Sequence, residues 1–448
     1  MLSAALSPAS YSIPSFAAPI LCTPDVCVVG GGPAGVAAAV AAGRLGLDVV
    51  LLEKYGFCGG ATVAGLSGTI CGLYSSGNRP EQIVFGFAHE FCARLGSMGG
   101  AGKPVPFGRT MLVPHDALVW KETADAFLQE SHVRVLYHSY FLDAFKDESG
   151  VVHALLVRLL DGYRVIRPKV VIDASGDALV VHALGGASSM GRNGVVQTPT
   201  MIFRIGGVDM EAFLKIDPAD LCHAVEQASS SGRYLLPRHH VYIFPMPNHH
   251  EVLCNMTRIT YPDGRVPLGV SSEDMTFAEI EGRRQAREYA RFLRERVPAF
   301  RASYVTETGA QVGIRQTRSV DGKQRLTNDD VLQARKCDSA VTFSAWPIEA
   351  HGAGELKIVY LEDDHYDIPF ETLIPAGTER VLAAGRCFSA EHEALASARV
   401  TAQCLGMGYG AGAATGLMVR EQISNAELSG VQVAAWMKAN KLKMVQEY

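Results

Sequence analysis

The sequence contains no CxxC pair, and its 10 cysteines are scattered over 448 residues. That scarcity excludes a disulfide scaffold, a zinc knuckle and a thioredoxin-type dithiol. Basic charge is not in excess either: 41 Lys and Arg stand against 46 Asp and Glu, a net charge of −5. A protein held to nucleic acid mainly through phosphates needs the opposite balance, so no nucleic-acid partner is expected. No uninterrupted apolar run is long enough to span a bilayer, which takes about 18 residues or more. The nearest candidate, residues 26–43, is broken by Gly30, Gly31, Gly32 and Pro33. No membrane association is expected. Residues 1–19 lack a positive segment followed by an apolar core, so they are not read as a signal peptide, and a cytoplasmic location is the expectation.

What is plentiful is glycine, 45 residues, in a chain that is 48% hydrophobic and only 19% charged. Such a chain buries a sizeable core, and its glycines suit turns and close approach of backbone to a ligand. At roughly 150 residues per domain, two domains are the first expectation.

Residues 1–23 are small and polar with scattered Pro and read as a poorly ordered arm. Strand 25–29, helix 34–46 and strand 48–53 form a βαβ unit. A Gly/Thr/Ser-rich loop at 56–72 and a second loose stretch at 97–108 flank a helical pattern at 83–95. The glycine content of 97–108 suits a lid. A helix at 115–131 and a strand at 133–137 follow. Residues 140–166 read as a β meander with turns at 148–150 and 161–162, and 170–173 as a buried strand.

Composition shifts after about residue 190. Sheet is expected at 201–207, 241–246 and 252–258, with a turn at Pro247 and Asn248. A long helix is expected to start at Thr276, in a capping box with Glu279. Phe277, Ile280, Tyr289 and Leu293 mark its apolar side; Arg283, Arg284, Arg287 and Arg291 mark a solvated face. A strand at 380–385 and a glycine-rich segment at 406–416 leading into a helix close the chain. No internal repeat is present.

The strongest local signal is GGGPAG at 30–35, which ends an apolar strand and opens a helix. Gly30 makes the tight turn, Gly32 lets backbone approach a pyrophosphate, and Gly35 lets helix and strand pack closely. Pro33 and Ala34 begin the helix, whose N-terminus favours an anion. Glu53 closes the second strand, placed to accept hydrogen bonds from a ribose. A nicotinamide domain would continue with further βα units, whereas this chain enters CGGAT at 58–62 and then a meander. A second strand-to-turn signature is VIDASGD at 171–177. A third is VLAAGR at 381–386, followed by GMGYGAG at 406–412 read as a helix start. Three such elements across the chain point to one long cofactor held by a discontinuous domain.

These segments resemble the two-domain FAD-dependent oxidoreductases. They are most similar to a bacterial family marked by a GGxATAG-like loop and an AGRC-like C-terminal motif. The matching stretches are EKYGFCGGATVAG at 53–65, VIDASGD at 171–177, GIRQTR at 313–318, WPIEAH at 346–351, and AGRC at 384–387 through Gly412. NMTR at 255–258 and EGRRQ at 281–285 also match, and the resemblance covers residues 24–420. It implies an α/β fold: a discontinuous Rossmann-like FAD-binding domain with a central parallel sheet and a β meander, plus a smaller α+β substrate domain. The expected division is 24–190 and 371–448 for FAD, and 191–370 for the substrate or cap domain.

The resemblance places FAD on Gly30, Gly32, Pro33, Ala34, Gly35, Glu53, Lys54, Gly59, Gly60, Ala61 and Thr62. It adds Ser175, Gly176, Asp177, Gly385, Arg386 and the helix start at Gly408, Gly410 and Gly412, with adenine near the backbone of Phe141. Three departures stand out. Tyr409 replaces a usual Gln near the flavin edge, Gly406 and Gly410 replace Ala, and Ala350 stands where an acid is common, which weakens an acid–His dyad at His351.

The activity implied is hydride transfer between a small organic substrate and flavin N5. The alternative is a flavin-binding subunit that relays electrons to a protein partner or uses FAD without redox, as in a lyase or hydratase. A second GxGxxG is missing, which disfavours a built-in nicotinamide domain. A halogenase-like WxWxIP is absent around Trp120, Trp346 and Trp436, and Gly385-Arg386 stands where hydroxylases show Gly-Asp.

Arg315, with Arg318 nearby, is a candidate for holding an anionic substrate or oxyanion; a structural salt bridge is the alternative. His351 is a candidate acid or base, and Arg399 and Tyr409 are candidates to line the site. Cys58, Cys387 and Cys404 read as buried hydrophobes, with covalent flavin attachment at Cys58 left open. The pairs His239–His240 and His249–His250 point to opposite sides of a strand, so no metal site is expected. A homo-oligomer and an electron-transfer partner are left open.

Overall fold

The runs VCVV and VVLL form strands Val26–Val29 and Val49–Leu52, every residue of which is buried. Apolar residues on both faces suit a parallel sheet covered on both sides. In the computed structural model, which describes residues 15–247, 250–351 and 357–442, these strands are central to a five-stranded sheet. Its order is Val381–Ala383, Val170–Asp173, Val26–Val29, Val49–Leu52, Arg134–Leu136, and every pairing is parallel. The Pro33–Arg44 helix joins the two central strands. Pro33 starts it, and its residues 34–42 are all buried, because it is sandwiched between this sheet and a second helix, Thr401–Arg420.

The meander Tyr140–Lys146, Val152–Leu159, Gly162–Ile166 is as expected. One correction concerns its edge. Ile20–Cys22, placed by sequence in a loose arm, pairs parallel with Gly162–Ile166; residues 1–14 lie outside the described part.

A second sheet is antiparallel, ordered Tyr242–Pro245, Glu251–Asn255, Phe203–Gly206, Tyr304–Thr308. With the helices Pro218–Ser230 and Ser272–Arg296 it encloses a separate core running from Met201 to Ile314. Leu326, Phe343, Ile348, Tyr366 and Phe370 pack instead in the core around the parallel sheet. The chain therefore returns to the first core well before residue 370.

Three local expectations are corrected. The long helix starts at Ser272, where Ser271 Oγ accepts from Asp274 N. Thr276 lies inside it, donating to the Ser272 carbonyl, and Ile280 points to solvent at 60% exposure. Stretch 97–108 is no loose loop: Ser97 ends the Gly86–Ser97 helix, and Val105–Phe107 pairs with Thr110–Pro114. Glycines 408, 410 and 412 lie in the middle of the Thr401–Arg420 helix, not at its start. A Cβ on Gly408 or Gly412 would sit 2.0 and 2.1 Å from the carbonyl oxygens of Ala34 and Ala38. These glycines are there to let two helices touch. The turn at Pro247–Asn248 and residue His249 fall partly or wholly outside the described residues.

His115 is completely buried beside Trp120. Burial, partly offset by Asp116, pulls its pKa down to about 4. Its unfolded value is about 6.5, so between those limits the unfolded chain binds the extra proton and stability falls as pH falls. The loss from this one side chain amounts to about 2 kcal/mol by pH 5. Urea unfolding of the wild type and of His115→Leu at pH 7 and pH 5 checks this: the variant should show the smaller drop. Equal drops would contradict it.

Candidate active site

Strand Val26–Val29 ends at Gly30, whose φ is +102° and where a Cβ would lie 2.5 Å from the Ala174 carbonyl oxygen. At Gly35 a Cβ would lie 1.8 Å from the Gly30 oxygen, so helix and strand meet through bare backbone. Gly32 caps the Pro33–Arg44 helix with no side chain over the free N–H groups, and its nearest neighbour on the Cβ side is Gly60 Cα, 3.9 Å away. The Thr401–Arg420 helix also starts without a side-chain cap, at Val400. Gly32 and Val400 both border one cleft of about 1650 Å³ of empty space, open mouth included. Two positive helix ends thus border the same space, although Ala402 N of the second already donates to the Cys71 carbonyl.

The Glu53 carboxylate borders the cleft too, 5% exposed. Its Oε2 accepts from Gly31 N at 2.7 Å and its Oε1 from Tyr55 N at 2.9 Å. Burial pushes its pKa up, while these N–H groups pull it back. The neighbouring Lys54 and Tyr55 both donate to Gln311 Oε1 of the second core's edge. Asp173 is buried and accepts from Ser175, Val180 and Val181; it shapes the 175–177 turn rather than facing the cleft. Asp177 and Arg386 bind each other at 2.6 Å. Arg386 also donates to the carbonyls of Gly176 and Ile314. This strut ties three distant segments into one wall.

The cleft also carries a polar cluster. Glu349 and His351 are two residues apart at the Ile348–Ala350 strand, so their side chains share a face. Glu349 Oε1 lies 3.2 Å from His351 Nε2. The acid thus comes from position 349, and Ala350 does not remove it; this corrects the expectation of a weakened dyad. Burial alone would push Glu349 up, but His351, Arg315 and Arg238 hold it down at about 2. Burial and the Arg315 charge hold His351 low, at about 3, despite Glu349. At neutral pH the pair is a carboxylate and a neutral imidazole. With Glu349 accepting, Nε2 carries the proton and Nδ1 is left as the acceptor. Arg315 donates to the Thr198 carbonyl at 2.6 Å, and Arg399 to Gln197 Oε1 at 2.9 Å.

Of the residues singled out by sequence, Gly30, Gly32, Pro33, Ala34, Glu53 and Lys54 line the cleft, as do Gly60, Ala61 and Thr62. Ser175, Gly176, Asp177, Gly385 and Arg386 line it from the second and third segments, and Arg315, His351 and Arg399 from the polar side. Gly35 and Gly59 stand behind it, against Gly30 and Val63. Phe141 packs beneath the meander and does not reach it. Gly408, Gly410 and Gly412 face Ala34, Val341 and Ala38. Tyr409 is 2% exposed, stacks on Phe87 at 4.9 Å and accepts from Arg44. It lies on the side of its helix away from the cleft, so its expected role at the site is overturned. Gly406 likewise abuts Thr342.

Sequence reasoning missed Arg238, Phe107 and the role of Glu349. The i, i+2 spacing of Glu349 and His351 was the available signal. Arg238 joins through Asn255, whose Oδ1 accepts from its Nη1 at 2.9 Å. Phe107 stacks on Trp346 with ring centroids 5.3 Å apart, and both line the cleft. Among the described residues no group of three or more His, Cys, Asp or Glu could hold a metal ion. Likewise, no helix is long and apolar enough to cross a membrane.

Cys58 is fully buried beneath Gly31, 3.8 Å from the Tyr137 hydroxyl, and burial pushes its thiol far up. A thiol kept protonated and out of the cleft is poorly placed to bond a flavin. A flavin held in this cleft should therefore not be tethered at Cys58: acid precipitation should leave no coloured peptide containing Cys58, and such a peptide in the pellet digest would contradict this.

Residues 25–437 match the protein family described as FAD dependent oxidoreductase. The dihydrolipoyl dehydrogenase of Trypanosoma brucei brucei is 29% identical over 198 residues, 42% of this chain and 39% of that one. The chain thus spans 39% of the length of this curated relative. A geranylgeranyl bacteriochlorophyll reductase-like protein of Thermoplasma acidophilum superimposes with a TM-score of 0.48 at 14% identity, covering 94% of this chain and 83% of that one. The p-nitrophenol 4-monooxygenase PnpA of Pseudomonas putida gives 0.45 at 12% identity, covering 94% and 88%.

Proposed function

The chain belongs to the FAD-dependent oxidoreductase family, and from that premise we propose that it moves a hydride between a small organic substrate and its flavin, in the cleft between the glycine turn and the second sheet. The observation that carries this reading is the Glu349–His351 pair, which lines the same cleft as the two uncapped helix ends and lies in the field of Arg315 and Arg238.

The enzyme uses FAD, and the cleft fits that group. Gly32 leaves room where any side chain would intrude, orphan N–H groups of the Pro33–Arg44 helix suit a pyrophosphate, and Glu53, fixed by the N–H groups of Gly31 and Tyr55, keeps further lone pairs for a ribose. Gly30, Ala34, Glu53, Gly60, Ser175 and Gly385 would hold it, with the N-terminus of Thr401–Arg420 near its ring end. When bound, FAD supplies two-electron redox chemistry at N5. The protein supplies position, charge and a proton site. With the Arg315 charge that depresses its basicity offset by the bound substrate, His351 Nδ1 accepts a proton from a substrate O–H or N–H as its neighbouring C–H bond is broken, or returns it in the reverse direction. Glu349 fixes the tautomer and offsets the imidazolium that forms. Arg315 and Arg399 hold the substrate against them.

The test is anaerobic mixing of oxidised holoenzyme with a panel of small hydroxy and amino compounds, followed by visible absorbance. Bleaching of the flavin bands by at least one compound is expected. A panel that leaves oxidised enzyme unchanged, and whose dehydrogenated counterparts fail to reoxidise reduced enzyme, would sink the reading.

A further inference from the structure

Two guanidiniums, Arg315 and Arg399, line the polar wall with the Glu349 carboxylate, and a third, Arg238, stands behind them on Asn255. Among the described residues, Arg238, Arg315 and Arg399 make no ion pair within 4.0 Å. Their hydrogen bonds go to neutral oxygens: Thr198 O for Arg315, Gln197 Oε1 for Arg399, and His240 O and Asn255 Oδ1 for Arg238. Arg238 Nη2 and Arg399 Nε are buried with no partner among the described residues. Arg315 and Arg238 are only 8% and 7% exposed.

The other charges of the cleft do not balance them. Asp177 is spent on Arg386, and Glu53 is held on the N–H groups of Gly31 and Tyr55. Glu349 alone faces the three, beside the neutral His351, so the wall is left with two formal positive charges in excess. Burying unpaired charge is costly unless a partner arrives. The strain shows in the arginines themselves: burial and the charges of Arg238 and Arg399 hold Arg315 well below its ordinary pKa. Next to this wall stands an apolar one, with Phe107 stacked on Trp346 and Phe244 and Ile202 beside them.

We infer that the substrate is an organic carboxylate, its anionic group held by Arg315 and Arg399 and its apolar, planar body against Phe107 and Trp346. This rests on reading the cleft as the substrate site. A fork of guanidinium N–H donors suits a carboxylate, and Arg238 acts behind them, steadying Asn255 and adding field.

Benzoate and its neutral isostere benzamide are the probes. Each is titrated into purified holoenzyme and followed by the flavin bands and by tryptophan fluorescence, since Trp346 lines the wall. Benzoate should bind saturably and at least about tenfold more tightly than benzamide. Arg315→Met and Arg399→Gln should each weaken benzoate about 10- to 100-fold and leave benzamide unchanged. Benzamide binding as tightly as benzoate in the wild type would overturn the assignment, and that comparison needs no variant to fold. Flavin content and substrate bleaching are read on the same samples. Flavin reduced by neutral compounds, with no preference for benzoate, sinks the carboxylate and keeps the oxidoreductase. A benzoate preference in protein whose flavin no compound reduces keeps the carboxylate and sinks hydride transfer.

Discussion

Gly35→Ala should yield protein that is purified without flavin, if it is obtained folded at all. The new methyl would sit 1.8 Å from the Gly30 carbonyl oxygen. No rotamer relieves that contact, because both partners are backbone. Relief requires the Pro33–Arg44 helix to move off its strand, which drags Gly32 and the free N–H groups away from the cleft. Overpacking of this kind costs about 1–3 kcal/mol where side chains can adjust, and here they cannot. The helix has no slack on its other side either, since Gly408 and Gly412 already press its backbone from the Thr401–Arg420 helix. Gly408→Ala should show a weaker version of the same defect, although residue 408 does not line the cleft. Flavin content per chain and the midpoint of thermal unfolding check both variants. A Gly35→Ala protein with full flavin content would contradict the packing argument.

His351→Gln should lower kcat by about 10²- to 10⁴-fold, the usual worth of a positioned proton acceptor. Flavin content and benzoate affinity should stay near wild type, because neither the glycine turn nor the guanidiniums are touched. Glu349→Gln separates orientation from mere structure. Removing the carboxylate leaves Arg315, Arg238 and Arg399 facing only neutral groups, so an anionic substrate should bind more tightly and KM should fall. The same change frees the imidazole to take the wrong tautomer and removes the charge that stabilises its protonated form, so kcat should fall as well. A fall in both constants is not what general disruption produces; disruption raises KM. An unchanged kcat in His351→Gln would remove the proton site from the mechanism.

The parallel sheet was legible because most of its strands are short apolar runs, and GGGPAG at 30–35 marks the one crossover whose turn must be bare. The cleft's first wall followed from that motif and from Glu53. The glycines at 406–412 misled, because small residues at helical spacing serve a helix crossing as readily as a helix start. Only the partner backbone, Ala34 and Ala38, distinguishes the two. Tyr409 fell with them, since its direction depends on where the helix begins. The start of the long helix was misplaced because Thr276 and Glu279 imitate a cap, while the real cap, Ser271, lies five residues earlier. The polar wall was half visible. Arg315 and His351 stood in matching motifs, but the convergence of Arg238, 77 residues before Arg315 in sequence, is a product of the second sheet. No local pattern encodes it.

One measurement addresses the whole reading at once: a crystal structure of the purified holoenzyme soaked with benzoate. The expected density shows FAD running from Glu53 past Gly32 to the N-terminus of the Thr401–Arg420 helix. It also shows the benzoate carboxylate on Arg315 and Arg399, within reach of the flavin ring and His351. Flavin seated elsewhere, or benzoate outside the arginine wall, would contradict it.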